Sequence, residues 1–162
     1  MHDSPGLVQA ASLEGPYERR LNHPVIDSSR MRTRVGREPF RGLEDPCVWH
    51  EDDRFHMLVH DLGYDSDEDG GWHFQSPDGI LWSDSRLGYH GGRHYWGEPG
   101  RLETPLVLQG DSGRVEYLFV NRDTAGKATG FVFRVSEEGE KGGPKDLGEV
   151  AAHGSRLRNR PS

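Results

Sequence analysis

A segment of this chain returns about sixty residues further on, and that repeat limits what the chain can fold into more than any other feature. Leu43-Glu44-Asp45-Pro46-Cys47-Val48-Trp49 comes back as Leu102-Glu103-Thr104-Pro105-Leu106-Val107-Leu108, fifty-nine residues later. His56-Met57-Leu58-Val59-His60 is matched by Tyr117-Leu118-Phe119-Val120-Asn121 at a separation of sixty-one. A second element recurs as well. Gly71 to Trp82 echoes Gly6 to Tyr17, each reading as strand, glycine turn, then strand with an aromatic residue. Self-similarity at a fixed period marks a chain built from one supersecondary unit that buries its apolar face against the next.

The unit is made of strands. Pro46–His50 and Phe55–His60 are short, rich in β-branched and aromatic residues, and separated by the turn-forming Glu51-Asp52-Asp53-Arg54. Trp72–Gln75 runs into Ser76-Pro77-Asp78-Gly79, where proline presets φ and glycine accepts a positive one, and Ile80-Leu81-Trp82 is expected to return as a strand. Pro105–Leu108, the turn Gly110–Gly113 and Val115–Val120 form another hairpin, and Thr129–Val135 alternates like a strand. No window keeps a helical period for three turns, and 22 glycines with 10 prolines in 162 residues favour turns over long helices.

The expectation is therefore an all-β fold. About sixty residues holding four short strands is the size of a β-propeller blade, with a β-sandwich carrying a chance similarity as the alternative. Gly6 to Ile26 reads as the outer half of a blade, followed by a whole blade at about 43–86 and another at about 102–135. That makes a partial propeller of about two and a half blades, where closed rings have about four to eight. It implies a truncated piece of a longer protein or a ring completed by association, truncation being the simpler account. The domain expected is 1–136, and 137–162, charged and glycine-rich, reads as a disordered tail.

Composition narrows the partners. A net charge of −7 argues against nucleic acid or an anionic membrane as the main partner. No run approaches the ~20 apolar residues of a membrane span. Met1-His2-Asp3-Ser4-Pro5 lacks the features of a signal peptide, but a truncated start leaves the compartment open, as is the oligomeric state. One cysteine, Cys47, excludes an internal disulfide framework and a multi-cysteine zinc site. Asp65-Ser66-Asp67-Glu68-Asp69-Gly70 begins like a calcium loop, yet its twelfth position is Ser76 rather than glutamate, so it reads as an acidic solvated loop. Neither a metal nor a cofactor is expected.

In a propeller the innermost strand of each blade starts near the central axis, so Glu44-Asp45-Pro46 and Glu103-Thr104-Pro105 are expected to converge. Two carboxylates brought together from separate blades suit cleavage of a glycosidic bond, where one donates a proton to the leaving oxygen and the other stays ionised. His56 and His60, four apart on a strand, share a face, and His60 reads either as a satisfied strand histidine or, near the axis, as a ligand for substrate or water. His90, His94, Tyr95 and Trp96 occupy a glycine-rich loop ahead of Glu103, and Trp96 is the preferred sugar-stacking platform. Glu44 joins His60 and Trp96 as a substrate-binding candidate. Trp49, Trp72 and Trp82 are assigned to packing between blades, and Cys47 to a buried small hydrophobe.

These strings together resemble a known group. Gly42 to Trp49, Phe55 to Asp61, Ser76 to Trp82, and Leu102 to Leu108 with Tyr117 to Val120 are similar to the five-bladed propellers of the furanosidase superfamily, nearest the family 43-like glycoside hydrolases, over roughly residues 6–135. The resemblance implies a carbohydrate substrate and three cooperating acids. By position Asp45 matches the aspartate that tunes the acid, and Glu103, two before Pro105, matches the general acid. The general base would lie upstream of Met1, so hydrolysis by this chain alone is expected to be inefficient. Gly42-Leu43-Glu44-Asp45-Pro46 also resembles the family 130 glycoside phosphorylases, but Cys47 stands where an arginine usually follows the proline. A non-catalytic carbohydrate-binding fragment is the rival from another class.

Overall fold

A computed structural model of the chain describes residues 4–27, 42–62, 70–83, 85–124 and 127–135. The tail 137–162 and all of the acidic loop but Gly70 lie outside the described residues. The fold is all-β, with a single short helix among the described residues. A two-stranded ladder, β1 (Val8–Gln9) with β2 (Glu18–Arg19), precedes a four-stranded antiparallel sheet in the order β3 (Leu43–Glu51), β4 (Arg54–Asp61), β5 (Gly71–Ser76), β6 (Arg86–Tyr89). The helix α1 (Gly92–Trp96) then leads to a three-stranded antiparallel sheet of β7 (Arg101–Gln109), β8 (Val115–Thr124) and β9 (Lys127–Arg134).

Local chemistry accounts for the connections. Asp52 and Asp53 join β3 to β4 with φ of 50° and 58°, the two positive values of a tight hairpin turn, which aspartate tolerates. Helix α1 stops at Gly97 in the left-handed region, its N–H donating to the Arg93 carbonyl at 2.9 Å. The expected strand at Ile80-Leu81-Trp82 does not form, and Arg86–Tyr89 pairs with β5 instead. The Asp78 carboxylate accepts from the Ile80 and Leu81 N–H groups at 2.9 and 2.8 Å, while the Ser76 hydroxyl accepts from Gly79 N–H at 2.9 Å. Those side-chain bonds take the donors a ladder needs and prolong the turn.

The sequence repeat is reproduced in the ladders. Cys47, Leu58 and His73 stand opposite one another across β3, β4 and β5, as Leu106, Phe119 and Val132 do across β7, β8 and β9. Trp49, His56 and Gln75 correspond in the same way to Leu108, Tyr117 and Arg134. Both sheets bulge at the same place, between Glu44 and Cys47 and between Glu103 and Leu106, each just at the Xaa-Pro pair. Asp45 and Thr104 carry matching left-handed φ values of 52° and 53° there. For threonine, β-branched, that conformation is a strained one.

Two side-chain bonds between positions fifty-nine apart lock β3 alongside β7 in the same direction. The Thr104 hydroxyl donates to Asp45 Oδ2 at 3.1 Å, and the Gln109 amide donates to the His50 carbonyl at 2.8 Å. Apolar side chains fill the seam: Leu58, Tyr89, Leu102, Leu118 and Val120 form one buried cluster, with Trp49, Tyr95, Trp96, Val107, Phe131 and Phe133 around it. On the other face of the four-stranded sheet, Leu43, Met57, Val59, Trp72 and Phe74 pack against Ile26, with Val25 and Trp82 partly buried beside them. β4 is thus buried on both faces, which is why Met57-Leu58-Val59 breaks the alternation of a half-exposed strand. Cys47 is half-buried rather than buried.

At the far end of the seam a cleft of about 350 Å³ opens among Trp49, His56, His73, Arg86, Arg114 and Leu118. A chain of bonds fixes its protons. Arg86 Nε–H donates to His73 Nδ1 at 3.1 Å, so His73 Nε2–H donates to His56 Nδ1 at 3.1 Å and His56 Nε2–H to the Glu51 carbonyl at 3.2 Å. Burial, then the Arg86 and His56 charges, hold His73 down from 6.5 to about 4. The fold therefore keeps this ring neutral, and the unfolded chain binds a proton first. Stability from this group is complete above pH 6.5 and is lost as pH falls toward about 4. The ring is part-exposed, so we expect about 1–2 kcal/mol rather than the ~3 kcal/mol of a dry site. Urea midpoints at pH 7.5 and 4.5 test this: His73→Gln should flatten the difference, and an unchanged slope would discount the imidazole.

Candidate functional site

The opposite end of the seam carries the carboxylates. Glu44 and Asp45 lie at the start of β3 and Glu103 near the start of β7, about 13 Å along the strands from His56 of the histidine cleft. The two bulges give the site its shape, because each turns the residue before its proline out of the ladder. Asp45 is exposed and accepts the Thr104 hydroxyl, which ties it to the residue next to Glu103. Glu103 is largely buried, its side chain 21% exposed, and Oε1 meets the Arg101 guanidinium at 2.5 Å as an ion pair. Arg101 and Glu103, two apart on β7, share a face.

Behind the acids stands a histidine. Glu44 and His60 are cross-strand partners, and His60 Nδ1–H donates to Glu44 Oε1 at 3.0 Å. The carboxylate can only accept, so in the neutral ring Nε2 is left with a lone pair. His60 is fully buried, and that Nε2 has no hydrogen-bond partner among the described residues. A ring oriented by a carboxylate through one nitrogen, with the other free, is the arrangement of a histidine that holds a ligand. Glu44, Asp45 and His60 each offer one ligand atom, all within 4.8 Å of one another, so this group could hold a metal ion, although no metal is expected from the motifs.

Tyr89 is buried in the seam cluster. Its ring lies over Gly71, where any Cβ would collide with it, and its hydroxyl donates to the Leu102 carbonyl at 3.1 Å. Burial pushes its pKa far above the usual phenol value, and the charges of Asp45, Tyr95, Glu103 and Asp61 push it further. The phenol is therefore a fixed, neutral donor, near enough to Asp45, Glu103 and Asp61 to feel their charges. Asp61 is itself fastened by Trp72 Nε1–H, which donates to Oδ2 at 2.8 Å.

Asp45, Glu103, Glu44 and His60 thus gather at one end of two adjacent sheets. Trp96 stands apart in its bonding. It is the last residue of α1 and packs on Phe131 with ring centroids 4.6 Å apart, while the Arg122 guanidinium sits 4.9 Å from its ring centre. Both neighbours draw the indole into the packing between helix and β-sheet. Thr104, Arg101 and Tyr89 were missed. The fifty-nine-residue offset from Asp45 points to Thr104, and the two-residue period along β7 points to Arg101. Nothing in the sequence marks Tyr89, whose role depends on folding back over Gly71. No protein-family model matches the chain, and no curated protein matches it.

Proposed function

We propose that this chain is part of a five-bladed β-propeller that acts on a glycosidic bond, the reading implied by its resemblance to the family 43-like glycoside hydrolases. The observation that carries it is the pairing of Asp45 and Glu103 at equivalent bulged strand starts, joined through the Thr104–Asp45 bond. In this reading the sugar's exocyclic oxygen lies against Glu103. The carboxyl proton passes to that oxygen as its bond to the anomeric carbon breaks. Water attacks from the other face and gives its proton to a base on a further blade, an inverting displacement. Asp45, joined to Thr104 beside Glu103, flanks the reacting bond, and His60 and Glu44 hold the sugar's hydroxyls. A phosphorylase would put phosphate in place of water, but Cys47 offers it no cation.

The Arg101–Glu103 ion pair favours a second reading, in which Glu103 is a fixed binding group of a non-catalytic carbohydrate module. A panel of 4-nitrophenyl furanosides and pyranosides separates them, read for nitrophenol release and, by calorimetry, for binding. Release above the buffer rate with one glycoside, falling at least tenfold in Asp45→Asn, is the expected result. Binding without release moves the assignment to the binding module, and neither binding nor release discards both.

A further inference from the structure

We infer that the outer face of the three-stranded sheet is a docking surface for a second copy of this chain, joined head to tail. The face consists of Leu106 and Leu108 on β7, Tyr117 and Phe119 on β8, and Val132 on β9, which the ladder register places on one side. Leu106, Leu108 and Val132 are 58%, 52% and 47% exposed. Contiguous apolar side chains on a sheet face mark a surface that is covered in use.

The molecule itself shows what covers such a face. The same ladder positions in the four-stranded sheet are Cys47, Trp49, His56, Leu58 and His73. They face the next unit of the repeat: Leu58 and Trp49 pack against Leu118 and Val107 of β8 and β7, while His56 and His73 line the cleft that the same two strands border. The occupant that fits the repeated face is therefore another unit of the same kind, and a second copy supplies one. The opposite pole of the chain offers the complement. Val8, Leu13 and Tyr17 of the N-terminal segment are 58%, 90% and 57% exposed, and this segment reaches the four-stranded sheet through Val25 and Ile26. The contact joins two different patches, so it is heterologous.

The test is the solution mass of the full chain. Light scattering coupled to gel filtration at about 100 µM should give twice the 18.3 kDa monomer or more, dissociating on dilution. Leu106→Glu (tail) and a Val8→Glu, Leu13→Glu double variant (head) should each be monomeric with unchanged circular dichroism. Mixed together they should associate again, because the tail of the head variant and the head of the tail variant are both intact. A monomeric wild type would overturn the inference, as would variants that still associate. Failure of the mixture to recover would overturn the head-to-tail arrangement, pointing instead to a symmetric contact. None of these readouts depends on sugar, so they stand or fall apart from the proposed function.

Discussion

Leu102→Ala is expected to cost about 2–5 kcal/mol of folding stability. Leu102 is fully buried, in a cluster with Leu58, Tyr89, Leu118 and Val120 that belongs to both sheets. Removing its three terminal carbons leaves a hole that neither backbone can close. β7 is pinned to β8 by its ladder and to β3 by the Thr104–Asp45 and Gln109–His50 bonds. The loss therefore carries a cavity term as well as a transfer term. Against the ~5–15 kcal/mol of an ordinary domain it is a large share. Leu81→Ala is the control: that side chain is 70% exposed and should change the unfolding free energy by no more than about 0.5 kcal/mol. A Leu102→Ala loss below about 1 kcal/mol would mean that the two sheets do not share one core.

The fold was legible where the repeat and the alternation coincide. Phe55 to His60 and Val115 to Val120 form strands because aliphatic and β-branched residues flank an obligatory turn, and both are central in their sheets. The offset read from Leu43 and Leu102 turned out to be a physical register, since it is the separation of both hydrogen-bonded pairs between β3 and β7. Ile80 to Trp82 was misread because propensity ignores side-chain competition for backbone donors, and Asp78 and Ser76 win that competition. The one-turn helix Gly92–Trp96 is too short to leave a period in the sequence.

The site was half legible. Glu44, Asp45 and Glu103 announce themselves by recurring beside proline, and His60 by facing the same way as His56. What could not be read is how they are held. The positive φ at Asp45 and Thr104 depends on a bulge, the free Nε2 of His60 on total burial, and the place of Tyr89 on the missing side chain of Gly71. Each is a product of tertiary packing, which no spacing rule encodes.

Glu103→Gln carries the largest chemical effect. The substitution keeps the shape of the side chain and the hydrogen-bond acceptor but removes the transferable proton. Under the proposed mechanism, turnover of a glycoside with a poor leaving group, such as a methyl glycoside, should fall by about 10²–10⁴. That is about 3–5 kcal/mol of lost transition-state stabilisation. A glycoside of 2,4-dinitrophenol leaves without protonation, so its turnover should fall less than about tenfold. The contrast between the two substrates is the measurement, because a fall from disturbed packing or weakened binding would be common to both. Arg101 gives the second arm. It meets Glu103 Oε1 from the same strand face, so Arg101→Met leaves the carboxyl in place while releasing it from its cation. If Glu103 is the proton donor, Arg101→Met should keep or raise turnover of the methyl glycoside. If Glu103 serves binding through that ion pair, Arg101→Met and Glu103→Gln should weaken sugar affinity together, with no dependence on the leaving group. An equal fall on both glycosides in Glu103→Gln would remove this residue from the chemistry and leave the site a receptor for carbohydrate.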